Sequence, residues 1–171
     1  MNVVFLDYDG VVNTPRWYKR KDEDGTEKND IKYNWPSDGK VNDEDSVQWV
    51  SEFCEKYDYK IVVSSTWRTN KNYVLCLKNA GLRDGIEVIG RTPGSYRDDR
   101  SEEIREYLSK NEVKNYLIFD DEDFFFYDEE LHEHLVLCNP DYGFKLPEYL
   151  KAARLHEHFA NKDIISDEQG K

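Results

Sequence analysis

Asp7 and Asp9 stand two residues apart at the end of a short apolar run, in the string Phe5-Leu6-Asp7-Tyr8-Asp9-Gly10-Val11. Residues two apart at a strand end point to the same side, so this spacing sets two carboxylates beside each other. One can attack phosphorus to form an acyl phosphate. The other can protonate the leaving oxygen and then take a proton from water. Asp7 is the candidate nucleophile and Asp9 the candidate acid and base. Gly10 permits a tight turn that brings backbone N–H groups toward phosphoryl oxygens, which makes it a candidate substrate contact. Alone, the same Asp-x-Asp-Gly string also suits a plain turn or a calcium loop.

Two further apolar runs end in the same manner: residues 59–63 (YKIVV) stop at Ser64-Ser65-Thr66, and residues 116–119 (YLIF) stop at Asp120-Asp121. Such runs suit strands of a parallel sheet covered on both faces. Residues 86–89 and 135–138 are weaker strand candidates. Helical patterns lie between them, the alternation of βαβ units. Val47, Val50, Phe53, Cys54 and Tyr57 recur at helical spacing behind Asn42-Asp43. Asn70 is expected to cap a helix that Gly81 ends, and Ser101 to cap one that turns Ile104 and Leu108 inward. Pro147 suits the first turn of a last helix reaching about Phe159.

The expected fold is therefore α/β: a Rossmann-like three-layer α/β/α domain over residues 1–160, with 161–171 a polar tail. At 171 residues one such domain is the natural reading. Residues 13–40 break the alternation. They are polar, carry Asp24-Gly25 as a turn signal, and mix Trp17, Tyr18, Lys19, Arg20, Lys21 and Trp35. A short β-hairpin flap, with no large cap, is expected there. Its aromatics suit stacking on a base and equally suit a plain surface.

Ligands of an open α/β sheet bind beyond the carboxyl ends of the strands, which gathers Asp7, Asp9, Ser64 and Asp120 in one crevice. Crowded carboxylates repel unless a cation neutralises them, and hard oxygens without nearby His or Cys favour Mg²⁺ over zinc. The Ser64 hydroxyl is a candidate phosphoryl contact and Ser65 a second, although serine also serves there to cap backbone. Charge on the equatorial oxygens calls for a fixed protein cation. Arg100, at a helix N-terminus on the crevice side, is the first candidate and Arg97 the second. Trp67-Arg68 suits packing at the rim or reaching the substrate, with packing the favoured role for Trp67.

With these strings in order, the chain resembles the haloacid dehalogenase superfamily: FLDYDGVVN, IVVSS, Arg100 before a helix, and LIFDDEDF stand where its four motifs stand. The resemblance implies Mg²⁺ held by Asp7, the Asp9 backbone carbonyl and Asp120, with Asp121 behind them or on a coordinated water. More narrowly, DYDGVVN, SSTWR, RSEEIREYL and FDDEDF are similar to the haloacid dehalogenase domains of "Swiss Army Knife" RNA repair proteins. The third motif departs from the superfamily's usual Lys, and Arg does not substitute freely for it. Asp9 stands where ion-pumping members carry Thr, which favours phosphoester hydrolysis.

The resemblance and the aromatic-basic flap together point to a phosphorylated nucleotide or an RNA or DNA end as substrate. Two rivals stand beside it: a phosphatase for free nucleotides or small metabolites, and a non-catalytic module whose acids hold metal and a partner. Composition narrows the field. A net charge of −12 and a pI near 4.8 oppose coating of duplex nucleic acid, which needs many Lys and Arg. No run reaches the roughly 20 apolar residues of a membrane span, and the first residues lack a signal pattern. Cys54, Cys76 and Cys138 sit in apolar or helical stretches and read as reduced core residues, so a cytoplasmic location is expected. His132-Glu133-His134 and His156-Glu157-His158 invite a metal reading. On a helix, however, residues two apart diverge by roughly 200°, which favours solvated faces.

Overall fold

The computed structural model of the chain describes residues 1–15, 42–69, 72–94, 99–123, 126 and 129–169. Five segments form one parallel sheet: β1 (Asn2–Leu6), β2 (Tyr59–Val63), β3 (Val88–Arg91), β4 (Asn115–Asp120) and β5 (Leu135–Leu137). Their order is β3-β2-β1-β4-β5. The helices are α1 (Glu44–Tyr57), α2 (Tyr73–Asn79), α3 (Arg100–Lys110), α4 (Glu129–Glu133) and α5 (Leu146–Gln169), with a 3₁₀ turn at Thr66–Thr69.

Strand side chains alternate between faces, and each face of the sheet has its own helices. Val4, Leu6, Ile61, Val63, Leu117 and Phe119 join Val50 and Phe53 of α1, Leu77 of α2 and Ala152 of α5. On the other side Val3, Phe5, Val62 and Ile118 meet Ile104 of α3 and Leu131 of α4. The expected three-layer α/β/α fold is thus present, with β1 at its centre. All three cysteines are free and buried, as core residues should be. No helix among the described residues is long and apolar enough to cross a membrane.

Several boundaries differ from the sequence reading. Helix α3 starts at Arg100 and is capped by Asp99, whose carboxylate accepts from the Ser101 N–H at 2.8 Å. Ser101, expected as the cap, lies inside the first turn. A carboxylate also gains from the positive end of the helix dipole, which favours Asp99 over a serine two residues on. Strand β3 begins at Val88 because Ile86 is held in a turn, its N–H donating to the Arg83 carbonyl at 3.0 Å. Helix α5 does not end near Phe159 but runs on to Gln169. Each added residue gains a hydrogen bond once a helix exists, and no glycine or proline intervenes before Gly170. The polar stretch from Asn161 did not mark the end of the helix. The expected cap Asn70, and the expected flap from residue 16 onward, lie outside the described residues.

The turn between β5 and α5 braces the turn after β1. The Phe144 N–H donates to the Val11 carbonyl at 2.8 Å. Gly143 has φ +74°, and a Cβ there would lie 2.5 Å from the Val11 carbonyl oxygen and 2.7 Å from Ser46 Oγ. Backbone cannot yield as a flexible side chain can. Gly143→Ala is therefore expected to destabilise by more than about 1 kcal/mol, read as a lowered urea midpoint at unchanged slope; an unshifted midpoint would contradict the packing.

Candidate active site

The parallel ladder continues one residue past the strands, and this sets the geometry of the site. The Asp7 N–H donates to the Phe119 carbonyl at 2.9 Å, Ser64 N–H to Leu6 at 2.8 Å, and Thr92 N–H to Val63 at 3.0 Å. From β1 the chain passes to β2 and β3 on one side and returns to β4 on the other, so a crevice opens at the carboxyl ends of β1 and β4. Asp7 and Asp120 meet there, 4% and 0% exposed. One carboxylate oxygen from each of Asp7, Asp120 and Asp121 lies within 4.8 Å of the other two. Asp9 is not in this group; its side chain stands at the exposed rim.

Arg100, the first residue of α3, reaches into the cluster. Its guanidinium bonds Asp120 Oδ2 and lies 3.4 Å from Asp7 Oδ2. One positive charge does not balance three negative ones. Burial, followed by the charge of Asp120, holds the Asp7 carboxyl well above the usual range despite Arg100. Burial likewise pushes Asp120 up to about 6 and raises Asp121. Burial works against the Arg100 cation too, but Asp7 and Asp120 outweigh it and raise its pKa.

The set suits a divalent cation. Its donors are hard oxygens, and two more positive charges would bring three ionised carboxylates and one guanidinium to neutrality. Gly10 keeps the set compact: with φ +72°, a Cβ on it would lie 2.3 Å from Asp121 Cγ. Its own N–H donates to the Asn13 carbonyl at 2.8 Å, which closes the turn.

The two serines differ in use. The Ser65 hydroxyl and the Tyr8 backbone N–H act to lower the Asp7 pKa against its burial, and Ser65 Oγ accepts from the Trp67 N–H at 3.4 Å. Ser64 is 1% exposed, and its hydroxyl has no hydrogen-bond partner among the described residues. A buried orphan hydroxyl is costly, and a ligand oxygen would satisfy it. Arg97 lies outside the described residues. Trp67, expected only to pack, does lie on Tyr8 with ring centroids 5.7 Å apart, but its Nε1–H also donates to Asp9 Oδ2 at 2.9 Å.

A buried ion pair behind the site escaped the sequence reading. Arg68 and Glu103 pair with side chains 5% and 4% exposed. Glu103 also accepts from Thr92 Oγ1 at 3.2 Å, and Arg68 Nη1 donates to the Ser65 carbonyl at 2.8 Å. The pair ties the turn carrying Ser64 and Ser65 to the helix carrying Arg100. A signal was available: Arg100, Glu103, Ile104, Tyr107 and Leu108 form one inward stripe at helical spacing, charged at its first turn. Two of the histidines, His134 and His156, do not lie on a solvated face. His134 stacks between Tyr116 and Phe159 at 3.9 and 4.0 Å and donates from Nδ1 to the Tyr116 carbonyl. His156 meets the Tyr59 hydroxyl at 3.2 Å.

The family model described as "HAD domain in Swiss Army Knife RNA repair proteins" matches residues 3–149, from β1 into the first turn of α5. The chain belongs to this family. No curated protein matches it. The matched span includes every strand end described above, so the crevice of this HAD domain coincides with the buried acidic cluster. Membership supports a phosphatase type of chemistry, and the cluster suits the divalent metal such domains use.

Two outcomes are expected. Raised carboxyl pKa values mean that the folded protein binds more protons than the unfolded chain between their ordinary value near 3.8 and about 6. Without metal, stability should therefore fall as pH rises through that window. Saturating Mg²⁺ should flatten the slope, and so should Asp120→Asn; melting curves with equal slopes in all three would refute the assignment. Glu103→Leu leaves the Arg68 guanidinium buried without its carboxylate and should cost about 3–5 kcal/mol, whereas adding Arg68→Met should recover part of the loss. Strict additivity in a double-mutant cycle would show that the pair is not coupled.

Proposed function

We propose that this HAD domain is a Mg²⁺-dependent phosphomonoester hydrolase that works through a phosphoryl group carried on Asp7. The observation that carries the reading is the buried cluster of Asp7, Asp120 and Asp121 against Arg100 at the switch point of the sheet. Asp7 forms a bond to phosphorus as the ester P–O bond breaks, and Asp9 gives its proton to the departing oxygen. Water then bonds to phosphorus, the Asp7–phosphorus bond breaks, and Asp9 takes the water's proton. Arg100 and the Ser64 hydroxyl hold the phosphoryl oxygens. Mg²⁺, when bound, would supply positive charge to offset the phosphoryl oxygens; Asp7, the Asp9 carbonyl and Asp120 would hold it, with Asp121 beside them.

For substrate we favour the phosphorylated end of a polynucleotide or nucleotide. The family's name places such domains in RNA repair proteins, and the basic and aromatic residues between 17 and 35 suit contact with a nucleotide. With a net charge of −12, long-range attraction does not help, so recognition would be local to the terminus.

A panel of 3′- and 5′-phosphorylated oligoribonucleotides, mononucleotides and small phosphate esters, assayed with and without chelator, tests this. Metal-dependent turnover preferring an oligonucleotide end is expected, and Asp7→Asn should lose roughly 10⁴-fold or more in kcat. Full activity in Asp7→Asn would end the covalent route. A preference for small esters would move the substrate class, and no turnover at all would favour a binding module.

A further inference from the structure

The rim carboxylate of Asp9 is held at both oxygens, and the two holds come from different parts of the fold. Oδ1 accepts from Asn13 Nδ2 at 3.1 Å and Oδ2 from Trp67 Nε1 at 2.9 Å. Indole N–H can only donate, but an amide could present either end. Both ends of the Asn13 amide are used: its NH₂ faces Asp9, and its Oδ1 accepts from Asn42 Nδ2 at 2.7 Å. Asn13 and Asn42 are 3% and 0% exposed. The Asn13 backbone is pinned as well, its N–H on the Tyr8 carbonyl at 2.7 Å and its own carbonyl on the Gly10 N–H.

The Trp67 side is anchored independently. Its ring lies on Tyr8, whose hydroxyl donates to the Tyr73 carbonyl at 2.8 Å. Its backbone is in the 3₁₀ turn behind Ser65, where the Arg68 N–H donates to the Ser65 carbonyl at 3.0 Å. An exposed aspartate has rotamer freedom to lose, and two fixed donors on opposite oxygens remove it before substrate arrives.

We infer that Trp67, Asn13 and Asn42 are positioning residues that aim the Asp9 carboxyl at the oxygen of the leaving group. The inference rests on the reading of Asp9 as acid and base. In the first step the Asp9 O–H bond breaks as the leaving oxygen gains the proton, the ester P–O bond breaks, and the Asp7 Oδ–phosphorus bond forms. An alkyl oxygen leaves poorly without that proton, whereas p-nitrophenolate leaves readily. Damage to the aim of Asp9 therefore shows as a selective loss on alkyl phosphates, which a general loosening of the fold does not produce.

The test compares kcat/KM for p-nitrophenyl phosphate and for an alkyl phosphate turned over in the substrate panel, in the parent, Asp9→Asn, Trp67→Phe, Asn13→Ala and Asn42→Ala. Trp67→Phe keeps a ring over Tyr8 and deletes only the donor. The alkyl-to-aryl ratio should fall by at least about tenfold in Trp67→Phe and in whichever asparagine variant folds with a near-parent melting temperature, in the direction of a larger fall in Asp9→Asn. If Asp9→Asn lowers the ratio but Trp67→Phe and the folded asparagine variants do not, the positioning role is overturned while the acid and base assignment stands. If Asp9→Asn leaves the ratio at the parent value, the underlying reading has failed and the inference falls with it.

Discussion

An excess of buried negative charge is the constraint around which this molecule is arranged. Asp7, Asp120 and Asp121 converge with Arg100 as the one cation among them in the described residues, and burial penalises each carboxylate more than the guanidinium relieves it. Such an arrangement stores affinity for positive charge. It also makes the site a weak point in the fold, because relaxation of the surrounding chain would let the carboxylates separate.

The rest of the structure opposes that relaxation. β1 is the central strand, with β2 and β4 paired on its two sides along its whole length. The ladder bonds of Asp7 and Ser64 beyond the strands leave those residues little freedom. The Arg68–Glu103 pair locks the turn after β2 to α3, one helical turn below Arg100. A buried pair is weak evidence for net stability, yet it enforces registry well, since any other arrangement leaves a charge without its counterpart. Gly143 against Val11 does similar work from the opposite edge, by close packing. Arg100, Asp7 and the turn after β2 are thus fixed from three directions by three different kinds of force.

The strands were legible because they are buried on both faces: continuous apolar runs ending in Asp7, Ser64 and Asp120 required a parallel sheet with polar tips on one edge. Order along the chain then sufficed to bring those tips together. What was not legible depends on side-chain geometry across elements. Nothing in the string SSTWR says that Trp67 turns its N–H to Asp9 while Arg68 turns inward, since the 3₁₀ turn that separates them has no periodic signature. The end of α5 was misplaced because hydrophobic periodicity reports burial, and a helix can continue on local hydrogen bonds after its apolar face has run out. Ser101 lost the cap to Asp99 because two good caps two residues apart differ by less than sequence alone resolves.

Asp9 shows why the second carboxylate must be kept out of the first cluster. On the proposed reading of Asp9 as acid and base, its carboxylate has to change charge during a reaction cycle, and a side chain bound among Asp7, Asp120 and Asp121 would have its charge tied to theirs. Two residues of spacing put Asp9 on the same edge as Asp7, and the turn at Gly10 then gives it a separate environment at the rim. Its donors are neutral N–H groups of Asn13 and Trp67, not ionic groups. Neutral donors orient a carboxylate with less bias on its charge than an ion pair imposes. The segment Asp7 to Asn13 thereby makes two carboxylates of unlike character from one short stretch of chain: one buried against Arg100, the other held by amide and indole.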